Sequence, residues 1–167
     1  IDAARATAIA TDALADPSDI VALEAIDVLA AAAHGDTAAS TSAFEQLAEL
    51  AFDPRQPAAR RLGVLAALRG LPAHLLTPID DALAGAEGRT AFGDATSLEP
   101  IAAAWVAAAD GDRAWRDRLA ALFAAIVTRA GLTRDHPTLV KVLTAHPASA
   151  VLVASAPRAR RRAPRLG

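Results

Sequence analysis

Residues 16–33 read DPSDIVALEAIDVLAAAA, and this segment gives the clearest indication of the fold class. The Asp-Pro step interrupts what precedes it, Ser18 can cap a new helix, and aliphatic residues then recur at helical spacing at Ile20, Leu23 and Ile26. Other aliphatic residues make the segment apolar nearly all round, with two acidic residues after the first turn. We therefore predict a helix that runs to about residue 33 and packs on the inside of an all-α protein.

The composition of the whole chain favours the same fold class. Of its 167 residues, 47 are Ala, and there is no Cys, Met or Tyr. Ala is the best helix former, and its small side chain lets neighbouring helices approach closely. The lack of Cys excludes disulfides, iron–sulfur clusters, zinc–thiolate sites and a Cys nucleophile. The 16 Arg against one Lys, together with the Ala excess, are typical of the GC-rich coding seen in many bacteria.

Helix-starting and helix-stopping residues divide the rest of the chain. We predict further helices over residues 2–15, from Ser40 or Thr41 to Asp53, from Pro57 to Gly70, from Thr77-Pro78 to about Ala84, from Ser97 to about residue 108, from Trp115 to Gly131, and from His136 to Pro147, with a last helical segment over 148–155. Residues 85–96, GAEGRTAFGDAT, carry three Gly and no apolar periodicity, so we expect a loop there.

Four Asp residues stand just before predicted helices at nearly even spacing. Asp16, Asp53, Asp94 and Asp135 are separated by 37, 41 and 41 residues, and the first two read Asp-Pro. This pattern resembles the HEAT and armadillo family of helical repeats, in which an Asp-Pro turn precedes a helix in a unit of about 40 residues. The family usually places a basic residue six positions after that Asp, and here only Lys141 matches.

The resemblance implies helical hairpins stacked as a short right-handed α-solenoid. The alternative that the spacing leaves open is an irregular helical bundle. We expect one helical-repeat domain over residues 1–156 and a basic, disordered tail over residues 157–167.

The tail is the clearest charge feature. Arg158, Arg160, Arg161, Arg162 and Arg165 give it +5, whereas residues 1–157 carry 12 basic and 19 acidic residues, a balance of −7. Such a basic arm can bind nucleic-acid phosphates or another anionic partner. An acidic body would repel phosphate from the helices themselves.

Other candidate sites have simpler interpretations. Asp80-Asp81 could bind a metal, but acids near a helix start also complement its dipole. Trp105 and Trp115 could form a base-stacking platform, although core packing is the ordinary role of such residues. His136 lies at a helix end, where its ring can cap the helix.

No motif in the sequence points to an enzyme, a cofactor or a metal, so we name no catalytic residue. We expect a cytoplasmic, non-catalytic scaffold that binds a protein or peptide and forms part of a longer protein. One alternative is a nucleic-acid-binding helical-repeat protein that uses the Arg tail. Another is a regulatory helical domain of a larger enzyme.

Overall fold

The computed structural model describes residues 2–108 and 112–160. Within these residues it has ten α-helices and no β-strand, which confirms the all-α prediction. The described chain divides between Gly93 and Asp94 into two compact units. The single helical-repeat domain over residues 1–156 stays a prediction.

The first unit contains six helices. They are α1 (Ala3–Ala13), α2 (Asp19–Ala33), α3 (Ala38–Phe52), α4 (Ala58–Ala67), α5 (Ala73–Ala84) and α6 (Ala86–Phe92). Helix α2 packs against α1, α3 and α4, and α5 packs against α6. The largest fully buried side chains of this unit are Ile26, Leu29, Leu47, Val64, Leu68 and Phe92.

Helix α2 is not an inner helix on all sides, and that part of the prediction is wrong. Ile26 and Leu29 are buried, but Ile20 is 72% exposed and Val28 is 43% exposed. Helices α1, α3 and α4 pack against α2 but leave part of its surface uncovered. Its apolar character all round therefore leaves aliphatic side chains in contact with solvent.

Two predicted helix starts are displaced in the structure. Helix α3 begins at Ala38 because Thr37 Oγ1 accepts a hydrogen bond from the Ser40 backbone N–H, so Ser40 lies inside the helix rather than at its cap. Helix α5 begins after Pro72 and contains Pro78. Proline in a helix interior leaves the backbone carbonyl four residues earlier, here that of His74, without its usual donor. Because His74 and Pro78 are both exposed, water can hydrogen-bond to that carbonyl.

The predicted loop over residues 85–96 contains helix α6, so this prediction is wrong. Gly88 makes the close approach of α6 to the end of α5 possible, since a Cβ at Gly88 would lie 1.8 Å from the Leu83 carbonyl oxygen. At the end of α6, Ala91 and Phe92 are buried. Gly88, which in the sequence is typical of a loop, thus allows α6 to pack against the end of α5.

The described part of the second unit contains four helices, which are α7 (Leu98–Ala107), α8 (Arg113–Ala130), α9 (Pro137–Ala145) and α10 (Ala150–Ala154). Gly131 ends α8 in the left-handed region with φ of 64°, as predicted. His136 caps α9, since its Nδ1 accepts a hydrogen bond from the Thr138 backbone N–H at 3.2 Å. Leu98, Ile101, Leu119, Phe123, Ile126 and Leu139 form the fully buried core.

Three of the four evenly spaced Asp residues make the same local turn. The Oδ1 atoms of Asp16, Asp53 and Asp94 each accept a hydrogen bond from the backbone N–H two residues later, at 2.8, 3.0 and 3.1 Å. At the fourth position Asp135 Oδ1 instead accepts from the Thr133 hydroxyl at 2.7 Å, and the neighbouring His136 caps the helix. The first three of these Asp residues therefore share a turn chemistry in the segments that precede helices.

Candidate functional site

An open groove runs between α1 and α2 in the first unit. Its volume is about 270 Å³. It is lined by Ala6, Ile9, Ala10 and Ala13 from α1 and by Val21, Glu24, Ala25 and Val28 from α2. On each helix these residues follow the spacing i, i+3, i+4, i+7, so each set forms one face over two turns. The Ala side chains are too short to fill the space between the helices, which leaves the groove open.

The edges of this groove are aliphatic and exposed. Ile9 is 57% exposed and Val21 is 37% exposed, while Val28 lies further along α2. Ile20 and Leu23 are further exposed aliphatic residues of α2. Single exposed aliphatic residues are ordinary, but a contiguous group beside a groove is typical of a binding surface.

Polar contacts fix α1 in the position that forms the groove. Asp2 Oδ1 caps the helix by accepting from the Ala4 backbone N–H at 3.2 Å. On the opposite side of α1, the Thr11 hydroxyl donates to Gln46 Oε1 of α3 at 2.7 Å. Thr7 and Ala10 are buried against the unit. The groove is thus held between helices that are anchored elsewhere.

The segment of the chain that forms the groove is strongly acidic. Residues 1–36 contain seven Asp or Glu against a single basic residue, Arg5. Every one of these acids is exposed or half-buried. The whole acidic excess of residues 1–157 lies in the first unit, because residues 94–157 carry six acidic and six basic residues.

Glu24 is the only ionisable side chain among the residues that line the groove. It lies one helical turn from Val21 on one side and one turn from Val28 on the other. Its side chain is exposed, and within residues 2–108 and 112–160 no hydrogen bond or ion pair engages it. By contrast, Asp19 on the same helix pairs with Arg60 Nη2 of α4 at 2.8 Å. The groove therefore has one carboxylate without a partner among lining residues that are otherwise aliphatic.

A second, larger groove lies within the second unit and is more polar. Its volume is about 420 Å³, and its lining consists of Ala95, Thr96, Glu99, Pro137, Thr138, Lys141 and Val142. Glu99 Oε1 lies 3.8 Å from His146 Nε2, which is an ion pair when the imidazole is protonated. The Thr138 backbone N–H is already used by His136. This groove brings the single Lys near Glu99 but aligns no nucleophile with a base.

The other candidate residues have structural partners. Asp80 is nearly buried and pairs with Arg69 Nη1 at 2.8 Å, and it lies in the middle of α5 rather than near its start. Trp115 is buried, whereas Trp105 is half-buried with the Arg116 guanidinium 4.1 Å from its ring centroid. Among the described residues, no three His, Asp or Glu side chains come together as a metal-binding group.

The basic tail is described only in part. Arg158 and Arg160 are exposed and outside the helices, while Arg161, Arg162 and Arg165 lie outside the described residues. Arg134 fixes the point at which the tail begins: its Nε donates to the Ala156 carbonyl at 2.6 Å, and its backbone N–H donates to the Pro157 carbonyl at 3.0 Å.

The α1–α2 groove is not predicted by the apolar pattern of the sequence. Residues 6–13 show the helical spacing that forms its α1 side, but three of the four lining residues there are Ala, which carries little hydrophobic signal. The sequence does hold one indication that part of α2 is uncovered, which is the presence of Glu24 and Asp27 within the helix. Charged residues mark the side of a helix that faces solvent.

Comparison with known proteins returned no matching family model, no matching curated protein and no matching solved structure. Within the part of the chain that the structure describes, no helix has both the length and the apolar character required to cross a bilayer.

Proposed function

We propose that this chain is a non-catalytic helical interaction module whose α1–α2 groove binds a helical segment of a partner protein. The observation that carries the proposal is the pair of matching faces on α1 and α2, each with its lining residues at i, i+3, i+4 and i+7. A groove with this periodicity accepts the apolar stripe of an amphipathic helix. The exposed Ile9, Val21 and Val28 supply the apolar surface that binding would bury.

We further propose that the helices belong to a HEAT-like helical-repeat scaffold. The shared turn at Asp16, Asp53 and Asp94 supports this, since equivalent positions of a repeat use equivalent local chemistry. The regulatory-domain alternative uses the same surface, with the partner helix supplied by the enzyme that is regulated.

Selection of helical peptides from a display library on the full chain tests the interaction function. The double variant Val21→Asp/Val28→Asp serves as the counter-selection target, and Val140→Asp, at a 48% exposed valine of the second unit, is the matched control. We expect selected peptides to bind the wild type and the control alike, and the double variant at least about tenfold more weakly. Equal binding to all three proteins would reject the groove as the binding site.

Nucleic-acid binding through the tail is a second candidate function. It is supported by the exposure of Arg158 and Arg160, which follow the point where Arg134 holds the start of the tail. It predicts binding to DNA or RNA that falls steeply with salt and is lost when residues 158–165 are removed. Affinity that does not change with salt would contradict it.

A further inference from the structure

We infer that the partner of the α1–α2 groove is a basic amphipathic helix, with an aliphatic stripe of about two turns and a Lys or Arg beside the middle of that stripe. This inference rests on the proposed function and specifies the chemistry of the partner. It is carried by two observations, which are the unpaired Glu24 among the lining residues and the acidic charge of the segment that forms the groove.

Glu24 gives the groove a specific requirement for a cation. Along α2, Glu24 stands between Val21 and Val28, and all three residues line the groove, so a partner helix that covers these valines would also take Glu24 out of water. Burying an unpaired carboxylate costs free energy, and a cationic side chain offsets that cost with a charge-assisted hydrogen bond. Lys and Arg suit this place because their aliphatic stems can pack on the valines while the charged end reaches the carboxylate.

The acidic field selects among the possible occupants. With seven acids against Arg5 in residues 1–36, of which Asp19 is paired with Arg60, the segment that forms the groove repels nucleic-acid phosphates and anionic lipid headgroups. A second copy of the chain would bring the same acidic face to the contact and meet like charge. A basic helix is instead attracted at long range and then packed at short range.

The length of the groove limits the recognition element. Residues 6–13 and residues 21–28 each span seven helical steps, which correspond to about 10 Å at 1.5 Å per residue. A partner therefore needs about two turns of aliphatic contacts. Acidic residues beyond both ends, such as Asp2 and Asp16, extend the preference for basic residues past the contact itself.

Three matched peptides test the inference on the full chain. Each is about 18 residues long, with Leu at i, i+3, i+4 and i+7, and the flanking positions are all Lys, all Gln or all Glu. By fluorescence anisotropy we expect the Lys peptide to bind about tenfold more tightly than the Gln peptide, and the Glu peptide to bind more weakly than either. The preference for Lys over Gln should shrink as the salt concentration rises.

Charge variants of the protein locate the effect. Glu24→Gln should weaken the binding of the Lys peptide about fivefold and change the affinity for the Gln peptide by less than about twofold. Asp27→Asn is the matched control, because Asp27 is an exposed acid of the same helix that does not line the groove. It should change the Lys peptide by less than about twofold.

Each contrary outcome has a definite meaning. If the Gln peptide binds as tightly as the Lys peptide, or Glu24→Gln has no effect, the inference fails while the proposed function stands. If no peptide binds and display selection does not distinguish the Val21→Asp/Val28→Asp variant from the wild type, both fail. If a chain that ends at Pro157 binds the Lys peptide more tightly than the full chain, the basic tail is the occupant of the groove. If the protein self-associates and the Val21→Asp/Val28→Asp variant does not, the occupant is a second copy. Either result overturns the inference.

Discussion

The guanidinium group of Arg61 lies over the ring of Phe92, with its Cζ atom 4.5 Å from the ring centroid. Arg61 is buried in α4, and Phe92 ends α6. The Arg61 Nη1 donates to the Ala91 carbonyl, and its Nε donates to the Gln56 carbonyl at 3.0 Å. Burial lowers the pKa of Arg61 from its ordinary value, and the charge of Asp53 partly offsets that effect. One buried cation thus joins α6 to α4.

Replacing Arg61 with Met should lower the free energy of unfolding by about 2–4 kcal/mol, measured by urea denaturation. Met retains much of the apolar contact with Phe92 but leaves the carbonyls of Gln56 and Ala91 without their donor. Arg89→Met is the control, because Arg89 is exposed on α6 and its loss should cost about 0.5 kcal/mol or less. Equal losses in the two variants would mean that the buried contacts of Arg61 do not stabilise the unit.

Helix α6 also shows where sequence reasoning reaches its limit. The fold class and most helix positions follow from Ala content, apolar spacing and helix-ending residues such as Gly131, because these act locally. Gly88 could not be interpreted in this way. Its effect depends on the Leu83 carbonyl that packs against it, and that contact exists only once α5 and α6 have folded together.

Gly88→Ala should therefore destabilise the protein by about 1–3 kcal/mol. The new Cβ would overlap backbone atoms of Leu83, which cannot move without shifting the end of α5. Gly63→Ala is the matched control, since its Cβ would lie 3.3 Å from the terminal methyl of Leu23, a side chain that can turn toward solvent. There the higher helix propensity of Ala should leave stability unchanged or raise it by up to about 1 kcal/mol. Thermal unfolding of both variants measures the difference, and a Gly88→Ala protein as stable as the wild type would contradict the packing argument.

Asp53 should contribute to a loss of stability in acid. The side-chain hydrogen bond from Arg55, followed by the backbone hydrogen bond from the same residue, lowers the pKa of Asp53 below its ordinary value of 3.8. Because the pKa of Asp53 is lower in the folded state, its carboxylate contributes fully to folding stability when the pH is above the unfolded-state pKa. That contribution is lost as the pH falls through the folded-state pKa. We therefore expect Asp53 to contribute to a loss of folding stability below pH 3.8.

An NMR titration of the Asp53 carboxyl carbon measures this shift directly. In Arg55→Gln the pKa of Asp53 should rise toward 3.8 and stay somewhat below it, because the backbone hydrogen bond from residue 55 remains. An unchanged pKa in that variant would assign the lowering to the backbone contact alone.

The candidate site was less accessible from sequence than the fold. The apolar pattern of α2 predicts burial on all sides, yet Glu24 on the same helix now lies in an open groove. Periodicity reports which residues are apolar, whereas the groove depends on which sides of α2 the neighbouring helices leave uncovered. That arrangement is set by the packing of α1, α3 and α4 rather than by α2 itself.

Two isoleucines on α2 provide a matched test of this arrangement. Ile26 is 1% exposed and Ile20 is 72% exposed. Ile26→Ala should lower the free energy of unfolding by about 2–5 kcal/mol, since it removes buried methyl groups and leaves a cavity. Ile20→Ala should cost about 0.5 kcal/mol or less, because its side chain already contacts water. Chemical denaturation of both variants provides the comparison, and because residue type, helix and substitution are the same, the difference reports mainly on burial. A large loss for Ile20→Ala would mean that another element of the folded protein covers this side of α2, which would leave less surface for a partner helix at the groove beside it.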